Sequence, residues 1–132
     1  MPEVKSKPIN PGGTVHVHLV VSEMKRSIDF YTTVLGFYYD HGIKEMAWLK
    51  RDGFLLTLAP GLAPANDPPT GQGYFGWALE SQDELERCYQ ELYQERQTLS
   101  NPPDESVGRS YFFLYDPDGH AIIFSNSAMD FP

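Results

Sequence analysis

One order of hydrophobic patterns occurs twice in this chain, and that repeat limits the possible folds more than any single motif. A strand, a helix and further strands run through residues 14–59 and again through 73–126. In the first unit, residues 14–21 alternate. Val15, Val17, Leu19 and Val21 share one face, and Thr14, His16, His18 and Val20 share the other. Met24, Ile28, Tyr31 and Leu35 then recur at helical spacing, and Gly36 supplies a stop. Residues 37–44, 45–51 and 54–59 read as strands, with Asp52-Gly53 as a hairpin signal between the last two.

The second unit opens with a strand over 73–80, with Phe75, Trp77 and Leu79 on one face and Tyr74, Gly76 and Ala78 on the other. Ser81 and Glu84 form a capping box ahead of a helix whose stripe holds Leu85, Cys88 and Leu92. Those three positions follow Ile28, Tyr31 and Leu35 at a constant offset. A connecting segment with Pro102 and Pro103 has room for a short edge strand. Residues 110–115 and 120–125 are strands joined by Asp116-Pro117-Asp118-Gly119, where Pro and Gly suit the dihedral angles of a turn. The expected architecture is α+β. Two βαβββ modules, paired with a ferredoxin-like edge, form curved mixed sheets around a cleft, with the helices outside.

The 132 residues suit one domain, expected over 14–126 with module one at 14–59, a Pro-rich loop at 60–72 and module two at 73–126. Residues 1–13 read as a flexible leader and 127–132 as a tail. The single cysteine, Cys88, has no internal disulfide partner and reads as a small buried side chain. There is no apolar run long enough for a membrane span and no signal-peptide core, so a cytoplasmic location is expected. Eighteen acidic against 10 basic residues give a net charge of −8, which argues against nucleic acid as a partner. Aromatics make up 14% of the chain, enough to line a pocket as well as fill a core.

The segments His16-Val17-His18-Leu19-Val20-Val21, Arg26-Ser27-Ile28-Asp29-Phe30-Tyr31 and Val34-Leu35-Gly36-Phe37 resemble the opening signature of the glyoxalase/bleomycin-resistance/extradiol-dioxygenase group, the vicinal oxygen chelate (VOC) superfamily. The run from Phe113 to Ile123, through Asp116-Pro117-Asp118-Gly119-His120, resembles its closing signature. The resemblance covers roughly residues 14–126. It implies the fold, but the superfamily spans lyases, isomerases, dioxygenases, thiol transferases and non-catalytic antibiotic-binding proteins.

The resemblance also implies four metal-ligand positions. They fall on His16, Thr57, Tyr74 (Phe75 after a shift of one) and Ile123, where the family's enzymes carry His or Glu. His16 alone is a good match. A divalent metal wants about three N or O ligands, so no metal and no other cofactor is expected. A rebuilt metal site would draw on His16 and His18, which share a strand face, with His120 or Asp40.

The expected ligand-binding residues are His16, His18, Trp48, Leu55, Thr57, Tyr74, Gly76, Ala121 and Ile123, with Gly76 and Ala121 leaving room in the cleft. Tyr38, Tyr39, Phe112 and Phe113 lie near by in the pattern, with the direction of each ring left open. The leading functional expectation is a metal-free small-molecule binding protein of the bleomycin-resistance type, sequestering an aromatic or cationic compound. Trp48 ahead of the Asp52-Gly53 hairpin resembles that branch. One alternative is a glyoxalase- or dioxygenase-like enzyme with an altered metal site, using His16 as base or ligand and Tyr74 as proton donor. Another is a metabolite-sensing carrier module. The resemblance also implies a homodimer.

Overall fold

The computed structural model describes residues 14–61 and 74–126. The expected leader, most of the mid-chain loop, Gly73 and the tail lie outside the described residues. The first module comprises β1 (Val15–Val21), α1 (Met24–Thr33), β2 (Tyr38–Ile43), β3 (Met46–Arg51) and β4 (Phe54–Pro60). The second comprises β5 (Phe75–Leu79), α2 (Gln82–Gln94), β6 (Thr98–Leu99), β7 (Tyr111–Tyr115) and β8 (Ala121–Asn126). Each module is a four-stranded mixed sheet, ordered β1-β4-β3-β2 and β5-β8-β7-β6. The first strand of each runs parallel to the last, and the other pairings are antiparallel. The repeat in the sequence is therefore a repeat of topology.

Local chemistry fixes the helix ends. The Glu23 carboxylate accepts from the Arg26 amide at 2.7 Å and opens α1. Past Val34, Gly36 takes φ +74°, a left-handed turn that costs glycine little, and the chain enters β2. Ser81 caps α2 by accepting from the Glu84 amide at 3.2 Å, and Glu84 reaches back to the Glu80 amide. The strand boundaries fall within two residues of the sequence reading. Pro60 ends β4, opposite Val21, where a strand end needs no amide donor from it. The edge strand β6 precedes Pro102 and Pro103, and a short 3-10 turn follows them at Glu105–Val107.

Each helix covers one face of its sheet. Val21, Tyr31, Leu49, Leu56 and Leu58 are fully buried in the first module, and Leu85, Phe112, Leu114 and Ile122 in the second. Burying each such side chain contributes about 1.5–3 kcal/mol. The two cores are continuous. Phe37 and Phe54 meet Trp77 at 6.0 and 5.5 Å between ring centroids, and Phe54 meets Phe75 at 5.8 Å. All three contacts lie on the helix-facing side of the sheets.

A polar latch also joins the modules. Asp118, in the turn between β7 and β8, accepts from the Ser22 amide at 3.1 Å, the Ser22 hydroxyl at 2.5 Å and Arg26 Nη2 at 3.2 Å. Tyr31 donates to Asp116 Oδ2, and the His120 ring meets the Val20 carbonyl at 2.9 Å.

Candidate functional site

The faces turned away from the helices hold every expected ligand-binding residue. Strand register pairs His16 with Leu55 and His18 with Thr57 across β1 and β4, and Trp48 with Thr57 across β3 and β4. These five residues therefore share the open face of the first sheet. Gly76 pairs with Ile123, Phe113 with Ile123 and Tyr115 with Ala121, so Tyr74, Gly76, Ala121 and Ile123 share the open face of the second. Among the described residues, no hydrogen bond or ring contact joins one group to the other. One chain thus presents two separate open faces.

On the first sheet, two imidazoles converge on one hydroxyl. His16 Nε2 lies 3.0 Å and His18 Nδ1 2.7 Å from Thr57 Oγ1. The hydroxyl can donate to one ring and accept from the other, which orients both. Thr57 is only 1% exposed, whereas both histidines are exposed. A buried residue thus positions two exposed, titratable ones. Beside them the His41 ring stacks on Trp48 at 4.3 Å with the planes 12° apart. Asp40 lies 2.6 Å from His41 Nδ1 and 3.6 Å from Lys50 Nζ. The hydrogen bond with His41, aided by Lys50, holds the Asp40 carboxyl below its ordinary value.

The second sheet presents aromatics. Tyr74 packs on Phe113 at 4.7 Å, and Phe113 meets Tyr111 at 5.7 Å and Tyr115 at 6.4 Å. Tyr74 is 62% exposed. The open question over Phe112 and Phe113 resolves by alternation: Phe112 is fully buried under α2, and Phe113 lies on the open face. Tyr38 and Tyr39 are exposed on the edge strand β2. Tyr111, Tyr115 and His41, none of them among the expected ligand-binding residues, have ring contacts with Phe113 and Trp48 on the open faces. For the tyrosines a signal was available, because 111, 113 and 115 alternate with the core residues Phe112 and Leu114.

Gly76 has a role other than leaving space. A Cβ there would lie 1.7 Å from the Ile123 carbonyl oxygen and 2.6 Å from its carbon. The missing side chain lets β5 and β8 approach, so that volume belongs to backbone.

The family's divalent metal does not fit the donors at the family positions. Beside His16 stand a threonine hydroxyl, a phenol and the hydrocarbon of Ile123. The alternative donors are placed elsewhere. His120 faces the Val20 carbonyl, and Asp40 is held by His41 and Lys50. Among the described residues, no group of three or more His, Cys, Asp or Glu is arranged to hold a metal ion.

The paired βαβββ sheets and their open faces define a class, and comparison with known proteins agrees with it. Residues 13–124 match the Glyoxalase/Bleomycin resistance protein/Dioxygenase superfamily, and the chain belongs to that family. A glutathione transferase FosA from Serratia marcescens is 29% identical over 108 residues, 81% of this chain and 75% of that protein. The fold is similar to a glyoxalase/bleomycin resistance protein/dioxygenase from Alicyclobacillus acidocaldarius, with TM-score 0.74 and 19% identity, covering 92% of this chain and 96% of that one. It is also similar to the fosfomycin resistance protein FosX from Mesorhizobium loti, with TM-score 0.68 and 14% identity, covering 89% and 94%. No helix among the described residues is long and apolar enough to cross a membrane.

Proposed function

We propose that this protein is a metal-free small-molecule binding protein of the bleomycin-resistance type, holding an aromatic or cationic compound against its open sheet faces. The observation that carries this reading is what stands at the family's ligand positions. Thr57 is spent on orienting His16 and His18, and Tyr74 is packed into an aromatic row with Phe113. A planar ligand stacked on Trp48, Phe113 or Tyr74 gains about 0.5–1.5 kcal/mol per ring beyond its area burial. The His16 and His18 rings supply donors or acceptors that fix its orientation.

The same reading includes a homodimer. Within one chain the two open faces do not meet, and the aromatic seam and the Asp118 latch hold the modules together by their helix sides. A second copy that set its second sheet opposite the first sheet of its partner would close two equivalent cups. Native mass spectrometry of the purified protein tests both parts. A dimer mass without bound metal supports the reading, and stoichiometric Zn, Mn, Ni or Fe in protein purified without added metal would sink it.

A second reading is an antibiotic-modifying enzyme. What favours it is the likeness to proteins named as a glutathione transferase and a fosfomycin resistance protein, together with the oriented His16. In that reading His16 takes a proton and Tyr74, contributed by the second chain, returns one. Incubation with glutathione and fosfomycin separates the two readings. Product formation that His16→Ala abolishes selects the enzyme, and binding without product selects sequestration.

A further inference from the structure

A crevice of about 420 Å³ opens on the helix side of the sheets, between the C-terminal end of α1 and α2. It faces away from His16 and Tyr74, and it falls within the roughly 300–1,000 Å³ of small-molecule pockets. Its floor is apolar, built from Leu35 of module one, Trp77, Leu79 and Phe124 of the second sheet, and Leu92 of α2. Arg51 forms one wall, held in place there with its positive charge unpaired by any carboxylate among the described residues. Its Nη1 donates to the Leu35 carbonyl, and its guanidinium lies 5.4 Å from the Trp77 ring centroid. Phe124 stacks on the same indole at 5.6 Å.

The opposite wall is one stripe of α2. Glu84, Cys88, Glu91 and Glu95 recur at helical spacing along it, with Arg87 between them. Among the described residues, Glu91, Glu95 and Arg87 form no ion pair. Three carboxylates, Glu84 among them already accepting from the Glu80 amide, therefore outnumber the two guanidinium groups of Arg51 and Arg87 around an apolar floor. Burial, and then Glu91, push the Cys88 thiol pKa up to about 11, with Arg51 pulling the other way.

We propose that this crevice is a second binding site, taking a small organic cation whose aromatic or alkyl body lies on the Trp77 and Leu92 floor and whose protonated amine meets Glu91 and Glu95. The charge balance selects a cation, because an anion would meet a net negative wall. The apolar floor selects an organic body, because an inorganic cation gains nothing from burying hydrocarbon.

Cys88 is the only thiol in the chain and lines the crevice, so it reports occupancy directly. The probe is dansylcadaverine, a naphthalene sulfonamide carrying a primary amine, with its N-acetylated form as the uncharged control. The probe should slow alkylation of Cys88 by N-ethylmaleimide, read by intact mass. The acetylated control should need about tenfold more for the same protection, and so should the probe with a Glu91→Gln/Glu95→Gln variant. Equal protection by the two compounds, no protection, or protection that survives both substitutions would overturn the proposal. Trp48→Phe leaves Trp77 as the only tryptophan, giving a second readout. Energy transfer from Trp77 to the bound naphthalene is expected, and its absence at saturating probe would also overturn the proposal.

Discussion

The Tyr31 hydroxyl donates to Asp116 Oδ2 at 2.8 Å, joining the first helix of one module to the last turn of the other. Tyr31 is fully buried and Asp116 is 5% exposed. Burial, then the adjoining Asp116 charge, raises the Tyr31 pKa, so the phenol stays protonated and acts as the donor. Tyr31→Phe keeps the ring and leaves a carboxylate oxygen without its partner. The expected cost is about 1–3 kcal/mol, measured by urea denaturation at neutral pH.

Asp116 gives stability a particular pH dependence. Burial holds its carboxyl above the ordinary aspartate value, although Tyr31 and His120 pull the other way. The folded chain therefore binds this proton more tightly than the unfolded chain. The contribution is full below the ordinary value and is lost as pH rises through the raised one. Asp116→Asn keeps an oxygen for the Asp118 and His120 amides and turns an NH2 towards Tyr31. The variant should lose this component of the pH slope in denaturation series run from acid to neutral pH. A slope identical to that of the unmodified protein would refute the assignment.

At Asp118 the same turn carries a heavier load. A nearly buried carboxylate accepts from Ser22 twice and from Arg26. Asp118→Ala should cost about 3 kcal/mol, because it leaves the Ser22 groups and Arg26 without their acceptor. Arg26→Ala should cost less, since Arg26 is half exposed. If the two substitutions proved equal by thermal melting, the latch would be a surface ion pair and nothing more.

Gly76→Ala should be among the most damaging single substitutions in the chain. Its Cβ would meet the Ile123 backbone, which cannot rotate away as a side chain would. A loss above about 3 kcal/mol, or failure to accumulate folded protein, is expected in denaturation or solubility assays.

Thr57→Val separates orientation from packing. Valine fills the same volume in a site that is 1% exposed, so the stability loss should stay near 1 kcal/mol. His16 and His18 would lose their shared anchor, and affinity for a small aromatic ligand should fall about tenfold by calorimetry. Unchanged affinity would remove the histidine pair from the binding face.

Much of this architecture was legible in the sequence because both modules obey simple periods. Alternation alone places His16 and His18 on one strand face, and Tyr74 opposite Phe75 and Trp77. The capping box at Ser81 and the turn at Asp116–Gly119 marked their elements by chemistry that acts over a few residues. What stayed hidden depends on contacts distant in sequence. Nothing near Gly76 reveals that the Ile123 backbone fills its missing side chain. Nothing near Asp118 reveals that it anchors Ser22 and Arg26. The division of expected site residues between two separate faces was equally unreadable, because periodicity assigns a face to a residue without saying what that face opposes. The α2 crevice escaped for another reason. Its stripe of Glu and Arg looks like any solvated helix surface until Trp77 and Leu35 arrive from elsewhere in the chain.

The aromatic seam of Phe37, Phe54 and Trp77 has a consequence for how this scaffold changes over time. It puts the cohesion of the molecule on one side of each sheet and leaves the other side almost free of structural duty, with Thr57 and Gly76 as exceptions. Exchanging His18, Trp48, Tyr74 or Phe113 disturbs few of the contacts that keep the chain folded. In the proposed binding role, such a protein can trade one ligand for another by single substitutions without first acquiring compensating ones, and its specificity is free to drift faster than its shape.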